Sequence, residues 1–473
     1  YLEIMFASNL KIYLNETIFL IKKNKNKYLI FFLFGFVVVV LTFNLINYDH
    51  ELGYDAAAHK WYVEVLPFAL PTDQDTYEFF SPPLPYIFPS LIDSVCDKLV
   101  ELNYSSLNCT LLYGKFTQGL QAILFIFILF FYLNISEQIF KDNNEFLISL
   151  ILLLVIISAN YKTFAMIRGE PYVTFFVTWS IYLLLKLIKN NFIYEKKFLY
   201  YMGFIFGLLA LSRQWAFLFF LSIGFYFLYK YKSLDIKVFL RFLKAMFVIF
   251  FIAFLMSSWF YFNLFFDYGS FTTFNEVPQT LEIDNNPYTF YITTGLKDNL
   301  LFKEPFRGST MNKGIFPILH SDMWGDWWGY FLIRTGREGE ELNISQILPY
   351  LGRVNLVSLF PALIYIFGII FSFRIISKKY KKYDSSVKEF YLFSNFVLIV
   401  GWLGFLWFNI KYPEEKGDTV KATYIIYLLN MLPFYGALIM DRVNKFNPKL
   451  FKASLSILFV ILLHNMPAMI TRF

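Results

Sequence analysis

Five residues able to carry or exchange a proton crowd one short stretch: Asp49, His50, Glu51, Asp55 and His59. Carboxylates and imidazoles are the usual general acids and bases, so this stretch is the first candidate for proton-transfer chemistry. Asp55 stands before Ala56-Ala57-Ala58, a run of high helix propensity. That puts Asp55 at a helix N-cap and His59 one turn on, along the same face. A capping role alone would account for Asp55. Two further charged groups favour a functional one: Glu170 in Arg168-Gly169-Glu170-Pro171, and Arg213 in Leu211-Ser212-Arg213-Gln214-Trp215. Ionisable residues wedged in such short turns often face an internal cavity. A second stretch, Phe316 to Tyr330, holds His320, Asp322, Trp324, Asp326, Trp327 and Trp328. Trp faces stack on sugar rings and nearby acids bind sugar hydroxyls, so Asp322, Trp324 and Asp326, with His59, are candidates for a substrate loop. An aromatic belt at a membrane surface is the other reading. His320, Asp322 and Asp326, or His50, Glu51 and His59, could hold a divalent metal, but neither spacing compels it, and no cofactor is assigned.

These side chains must be positioned by a chain that lives in lipid. Of its 473 residues 57% are hydrophobic and 16% charged, with 61 Phe and 34 Tyr. A soluble domain carries about 25% charge, so this chain lacks the polar surface to dissolve. Eleven candidate spans follow from the need for about 20 apolar residues per crossing. They lie near 28–47, 116–133, 146–160, 171–189, 198–212, 214–230, 244–265, 353–373, 389–410, 423–440 and 451–470. The stretch before Lys22 reads as an amphipathic surface helix. The first residue is Tyr, as expected of a fragment or a processed chain, and no signal peptide is read into it.

Eleven crossings put the Lys and Arg clusters on one side. These are Lys22–Lys27, Lys186–Lys197, Lys230–Lys244, Arg374–Lys388 and Arg442–Lys452. The positive-inside rule makes that side cytoplasmic. The net charge of +7 is therefore an orienting pattern, and nucleic acid is not a partner. The other side receives two long loops, 48–115 and 266–352, and three short ones near 161–170, 212–214 and 411–422. Chemistry is expected there, because loops on a rigid scaffold carry function. Cys96 and Cys109 both lie in the first long loop, where a disulfide and two unpaired thiols are both open. Asn103 and Asn108 begin N-x-S/T sequons, which matter only in a glycosylating host.

An outer loop opening on Tyr54-Asp55-x-x-x-His59, then Pro82-Pro83-Leu84 and a further amphipathic helix, resembles the GT-C glycosyltransferases that use polyprenyl-phosphate sugars. The nearest likeness is to the family 39-like group of protein O-mannosyltransferases and aminoarabinose transferases. The resemblance implies an all-α polytopic membrane protein with the GT-C fold, one membrane domain over 1–473. It implies a catalytic Asp in the first outer loop, which Asp55 matches, and an acid in the second outer loop, which Glu170 matches. Many members have Asp-Glu at the first site; Ala56 replaces that Glu here, and Asp49 or Glu51 is the runner-up base. The implied donor is a sugar on a polyprenyl phosphate, held in membrane lipid, and the acceptor a hydroxyl of protein, lipid or glycan. Arg168, Arg213 and Lys421, with Tyr424, then become the ligands of the donor phosphate. Snorkelling at the interface is the alternative for each cation. Single displacement with inversion is likewise an implication of the family.

Two other classes fit the composition. A transporter should show internal repeats and polar, broken segments at mid-membrane, whereas these spans are plain Phe, Leu and Ile. A lipid-linked polysaccharide polymerase or ligase shares the donor but relies on Arg and His of a late outer loop. A hexosyl- or pentosyltransferase in a bacterial or archaeal plasma membrane is the favoured expectation over one in the endoplasmic reticulum.

Overall fold

A computed structural model describes residues 26–102, 107–231, 235–274, 288–295, 300–307, 314–333, 344–377, 383–412 and 419–472. The stretch before Lys22 and the Asn103 sequon lie outside them. The described residues are helical, with no strand among them. That follows from the sequence: a long apolar run in lipid must satisfy its own backbone, which a helix does internally.

The helices used below are α1 (Lys27–Asn47), α2 (Ala56–Val65), α3 (Leu84–Glu101), α4 (Cys109–Ile139), α5 (Asn144–Val155), α6 (Ser158–Ala165), α7 (Glu170–Lys189), α8 (Lys196–Ala210), α9 (Ala216–Lys230) and α10 (Ile236–Tyr268). They continue with α11 (Ile315–Trp324), α12 (Ile344–Val357), α13 (Leu359–Ile376), α14 (Ser385–Lys411), α15 (Ala422–Leu429, opening as a 3-10 turn), α16 (Leu432–Phe446) and α17 (Pro448–Asn465). Among the described residues seven helices are long and apolar enough to cross a membrane, and two bent pairs raise the number to nine. The chain is an integral multi-pass membrane protein.

The eleven expected spans each meet a helix or a bent pair, but two fall short. α8 and α9 have 15 residues each, about 22 Å, against a hydrocarbon core of about 30 Å. Tyr261 of α10 donates to the carbonyl of Ala210, the last residue of α8, at 2.6 Å. α10 therefore runs seven residues, about 10 Å, past the level where α8 stops. The α8–α9 turn is sunk below its neighbour's end.

The bent pairs have local causes. α5 and α6 meet at 55°. The carbonyls freed at that break are taken by Tyr161 Oη on Val155 O at 2.9 Å and Asn160 Nδ2 on Leu154 O at 3.3 Å. α15 and α16 meet at 42°, with Pro433 in the first turn of α16 and the Tyr132 hydroxyl bonded to the Asn430 carbonyl. Tyrosine and asparagine thus do for broken spans what the missing helix bonds would have done.

Helix ends sort into two groups. Asp441 accepts from Asn143 and Lys445, and Lys230 pairs with Glu389, joining the ends of α5, α9, α14 and α16 at one end of the bundle. This is the basic end. At the other, Lys115 donates to the carbonyls of Leu45 and Tyr48, Asn44 to that of Met469, and the hydroxyl of Tyr268 accepts from the Asp73 amide. Lys141, Lys189, Lys230 and Lys445 gather at the first of these two ends.

The first outer loop contributes two helices. α3 shows an apolar stripe of Ile87, Phe88, Leu91, Val95 and Leu99 to the outside, while Tyr86, Ser90, Asp93 and Cys96 face inward. Such a helix lies along a membrane interface. A disulfide between Cys96 and Cys109, thirteen residues apart, ties it to the start of α4. Asn108 caps α4 by accepting from the Leu111 amide at 3.0 Å.

Candidate functional site

The site gathers where four outer turns meet. Asp55 precedes α2, and its carbonyl takes the His59 amide at 3.1 Å, so the backbone occupies the N-cap position. Its side chain makes no cap bond. The residue is left-handed, with φ 57°, a conformation that Asp tolerates better than most side chains. The expected capping carboxylate is instead turned away from its own helix and reaches Lys421 Nζ at 3.4 Å. The Asp55 side chain is 42% exposed and that of Lys421 only 11%.

Lys421 is held from all sides. It donates to the Tyr424 hydroxyl at 3.1 Å and lies over the rings of Tyr54 and Tyr424, each centroid at 5.1 Å. The residues next in sequence to the pair are anchored on one carboxylate. Asp322 accepts from the Tyr54 hydroxyl at 3.2 Å and from the Ala422 amide at 2.7 Å. Lys162 donates to Asp322 Oδ1 at 3.0 Å and to the carbonyls of Asp322 and Gly325 at 2.6 and 2.8 Å. Buried charges persist only when paired and bonded, and this pair is both.

The two arginines form a second layer. Arg168 donates to Glu170 at 2.7 and 3.2 Å. Arg213 lies 3.3 Å from Glu170 and donates to Glu78 at 2.6 Å and to Ser81. All four charged side chains are buried. Gly169 permits the crossing: a Cβ there would lie 2.7 Å from both Arg213 Cγ and the Ser212 carbonyl. The first outer loop is sewn to the sunken α8–α9 turn by Leu84 N on Leu211 O at 3.1 Å and Gln214 Nε2 on Phe80 O at 2.7 Å. Arg168, Arg213 and Lys421 are matched by Asp55, Glu78 and Glu170, so the resting cluster carries no net charge.

Burial would raise the Asp55 carboxyl, but Lys421, then His59 and Arg168, outweigh it and hold the group below the usual range. Burial also works against the charge on Lys421, yet Tyr424 and Asp55 keep it firmly protonated. Glu78 is lowered too: burial opposes ionisation and Arg213 overrides it. His59 goes the other way, pushed down to about 4 by burial. It is neutral near pH 7 and bonded through Nδ1 to the Tyr86 hydroxyl at 2.7 Å.

An apolar groove of about 300 Å³ opens beside this cluster. Phe80, Pro82, Trp215, Phe274 and Phe408 line it, and Arg213 sits in its wall. Trp215 connects the groove to Lys421's neighbour, its ring 5.9 Å from Tyr424 and 5.0 Å from Phe408.

No protein-family model matches the chain, and no curated protein matches it. Among solved structures, ArnT from Cupriavidus metallidurans bound to undecaprenyl phosphate is similar over 90% of this chain and 80% of that one, at 11% identity and a TM-score of 0.37. The apo state of the same protein is similar over 88% and 79%, at 13% identity and a TM-score of 0.35.

Several expected site residues stand elsewhere than their types suggested. Glu170 has its carboxylate enclosed by two arginines, leaving Asp55 as the acid of this cluster that solvent reaches. His59 lies in the helix that Asp55 precedes but points inward. Asp322 is the anchor described above, and Asp326 is spent on the Phe331 and Leu332 amides at 2.9 and 2.6 Å. Trp324, Trp327 and Trp328 are fully buried, Trp324 in parallel with Tyr365. This segment is neither an exposed sugar platform nor a surface belt, because α11 and the turn after it are packed into the bundle. Asp49 is bonded to the Glu51 amide, and Glu51 pairs with Lys60. Among the described residues no group of three His, Cys, Asp or Glu is placed to hold a metal; His320 is bonded to the Asn355 carbonyl. Tyr54 was read only as part of the motif with Asp55, and Glu78, Tyr86 and Lys162 were not expected. Only Lys162, a lysine in a short turn after an apolar run, left a signal in the sequence.

Proposed function

We propose that the chain is a GT-C-type membrane glycosyltransferase, moving a sugar from a polyprenyl phosphate to an acceptor hydroxyl at the end away from the basic clusters. The observation that carries this reading is the Asp55–Lys421 contact, a solvent-reachable carboxylate touching a buried cation, beside an apolar groove that has Arg213 in its wall. The groove suits the first isoprene units of the carrier. Lys421, with Arg168 and Arg213 behind it, suits the phosphate. The acceptor comes to the exposed face of Asp55.

The chemistry is one displacement. Asp55 takes the proton of the acceptor hydroxyl as its oxygen bonds to the anomeric carbon. The bond from that carbon to the phosphate oxygen breaks, its electron pair stays on the phosphate, and the configuration inverts. Lys421 balances the charge that develops on the leaving phosphate. Binding and base activation are coupled, because a phosphate that draws Lys421 toward itself frees Asp55 from the cation that depresses its basicity.

Asp55→Asn tests the reading. The variant keeps the fold, since the side chain makes no cap bond and is 42% exposed. Transfer from a polyprenyl-phosphate sugar by the purified protein should fall about 10²- to 10⁴-fold. Transfer at the unaltered rate would sink the proposal.

A further inference from the structure

At the basic end, five helix ends surround a cavity of about 250 Å³: α4, α7 and α9 finish there, and α10 and α14 begin there. An adjoining cavity of about 330 Å³ shares Gln138, Ile139, Lys189 and Ser386 with it. None of these residues belongs to the site around Asp55. One wall is built at a backbone cost. Phe192 is left-handed, with φ 61°, directly after Asn191 at φ 50°. Bulky residues rarely adopt that region, and do so only where the surroundings over-determine it. Here it ends α7 sharply, with Phe192 N bonded to Leu187 O at 3.0 Å. The ring then packs on Phe227 and Phe242, at 5.5 and 5.4 Å. Leu185, Ile188 and Val238 complete an apolar floor.

The rim is of another kind. Gln138 has both side-chain amide atoms buried without a partner among the described residues. Four lysines (Lys141, Lys189, Lys230 and Lys445) line the two cavities with two carboxylates, Asp384 and Glu389, and Lys445 is paired with Asp441 behind the rim. Glu389 is neutralised by Lys230 at 2.6 Å and accepts the Tyr226 hydroxyl at 2.7 Å. Asp384 stands at the N-cap of α14 without a cap bond, which leaves the first-turn amides of a 27-residue helix, at Ser385 and Ser386, for another acceptor. Ile193 and Leu228, next to the lining residues Phe192 and Phe227, are exposed and carry the apolar surface outward.

We propose that this cavity binds the headgroup of an anionic glycerophospholipid. The phosphate takes the α14 amides and Lys189, glycerol hydroxyls take the Gln138 amide, and the acyl chains leave over Ile193 and Leu228. The basic clusters set this end in the leaflet whose anionic lipids attract lysine. The proposal is independent of the glycosyltransferase reading.

Native mass spectrometry tests it, with the full chain released from nanodiscs of equal phosphatidylglycerol and phosphatidylcholine. Phosphatidylglycerol should be retained about tenfold over phosphatidylcholine. Lys189→Ala and Lys141→Ala, both at exposed positions, should each cut retention about fivefold, the worth of one lysine at an anionic surface. Gln138→Leu should lower it again, with the thermal midpoints of all three variants unchanged. Equal retention of the two lipids, or undiminished retention in the lysine variants, overturns the proposal. So does displacement by millimolar glycerol 3-phosphate, which would make the ligand a soluble phosphate ester.

Discussion

Replacing Lys421 by Met removes the cation that touches the proposed base and keeps an unbranched stem. Lys421 Nζ lies 3.4 Å from Asp55 Oδ2. Two unit charges at that distance interact by about 5 kcal/mol at an effective dielectric of 20 and by about 1 kcal/mol in water. Asp55 is 42% exposed, so screening sets the pair near the lower figure. About 1–2 kcal/mol, or about one pKa unit, is the reasonable magnitude. Asp55 is held below the ordinary carboxylate range, burial being outweighed by Lys421, His59 and Arg168. Without Lys421 it rises. A base must be ionised to accept a proton, so the rise costs rate on the acid side only. Sugar transfer from a synthetic polyprenyl-phosphate donor, measured against pH, should show kcat/KM down about 10²- to 10³-fold for the lost phosphate partner. The acid limb of that profile should move up by about one unit. Lys421→Arg should keep the limb in place. If the rate falls while the limb stays where it was, Lys421 and Asp55 are not coupled. If the rate does not fall, Lys421 does not hold the phosphate.

Gly169→Ala puts a methyl 2.7 Å from the Ser212 carbonyl and Arg213 Cγ; transfer should fall at least about tenfold and stability by about 1–3 kcal/mol, read by activity and thermal unfolding. Lys162→Met or Asp322→Asn alone strands a buried charge and should cost about 3–5 kcal/mol, whereas the double variant should recover much of it in the same unfolding assay. Replacing Cys96 and Cys109 by Ser opens a loop of thirteen residues' separation and should cost about 3 kcal/mol, a difference that a reductant abolishes.

Much of this arrangement was legible in the sequence, for a physical reason. Turns between spans are short, so a charge placed in one has nowhere to go but the junction of the helices it joins. Arg168, Glu170, Arg213 and Lys421 were found that way, and the structure brings them together. Glu78 was not, because one acid among the ten of a 68-residue loop has neither spacing nor period to mark it. The place of Asp55 was visible but its geometry was not: an Asp before an Ala run looks like a cap, and only the left-handed backbone turns the carboxylate elsewhere. Trp324 and its neighbours misled for the opposite reason. Side chains able to stack on a sugar are equally able to fill a core, and composition does not say which partner is nearer.

The step between α8 and α10 has a consequence for what can enter. Arg213 sits on a ledge about 10 Å beneath the top of α10, roofed by the first outer loop, where Phe79 packs on Tyr268. A sugar nucleotide arriving from water would meet that roof. A phosphate tethered to an isoprenoid arrives sideways, already at the right depth, drawn along the plane in which its own tail floats. Under the proposed function, selection for a lipid-borne donor requires little recognition of the lipid. It follows from topography: the address is an altitude, and only a passenger of the bilayer travels at it.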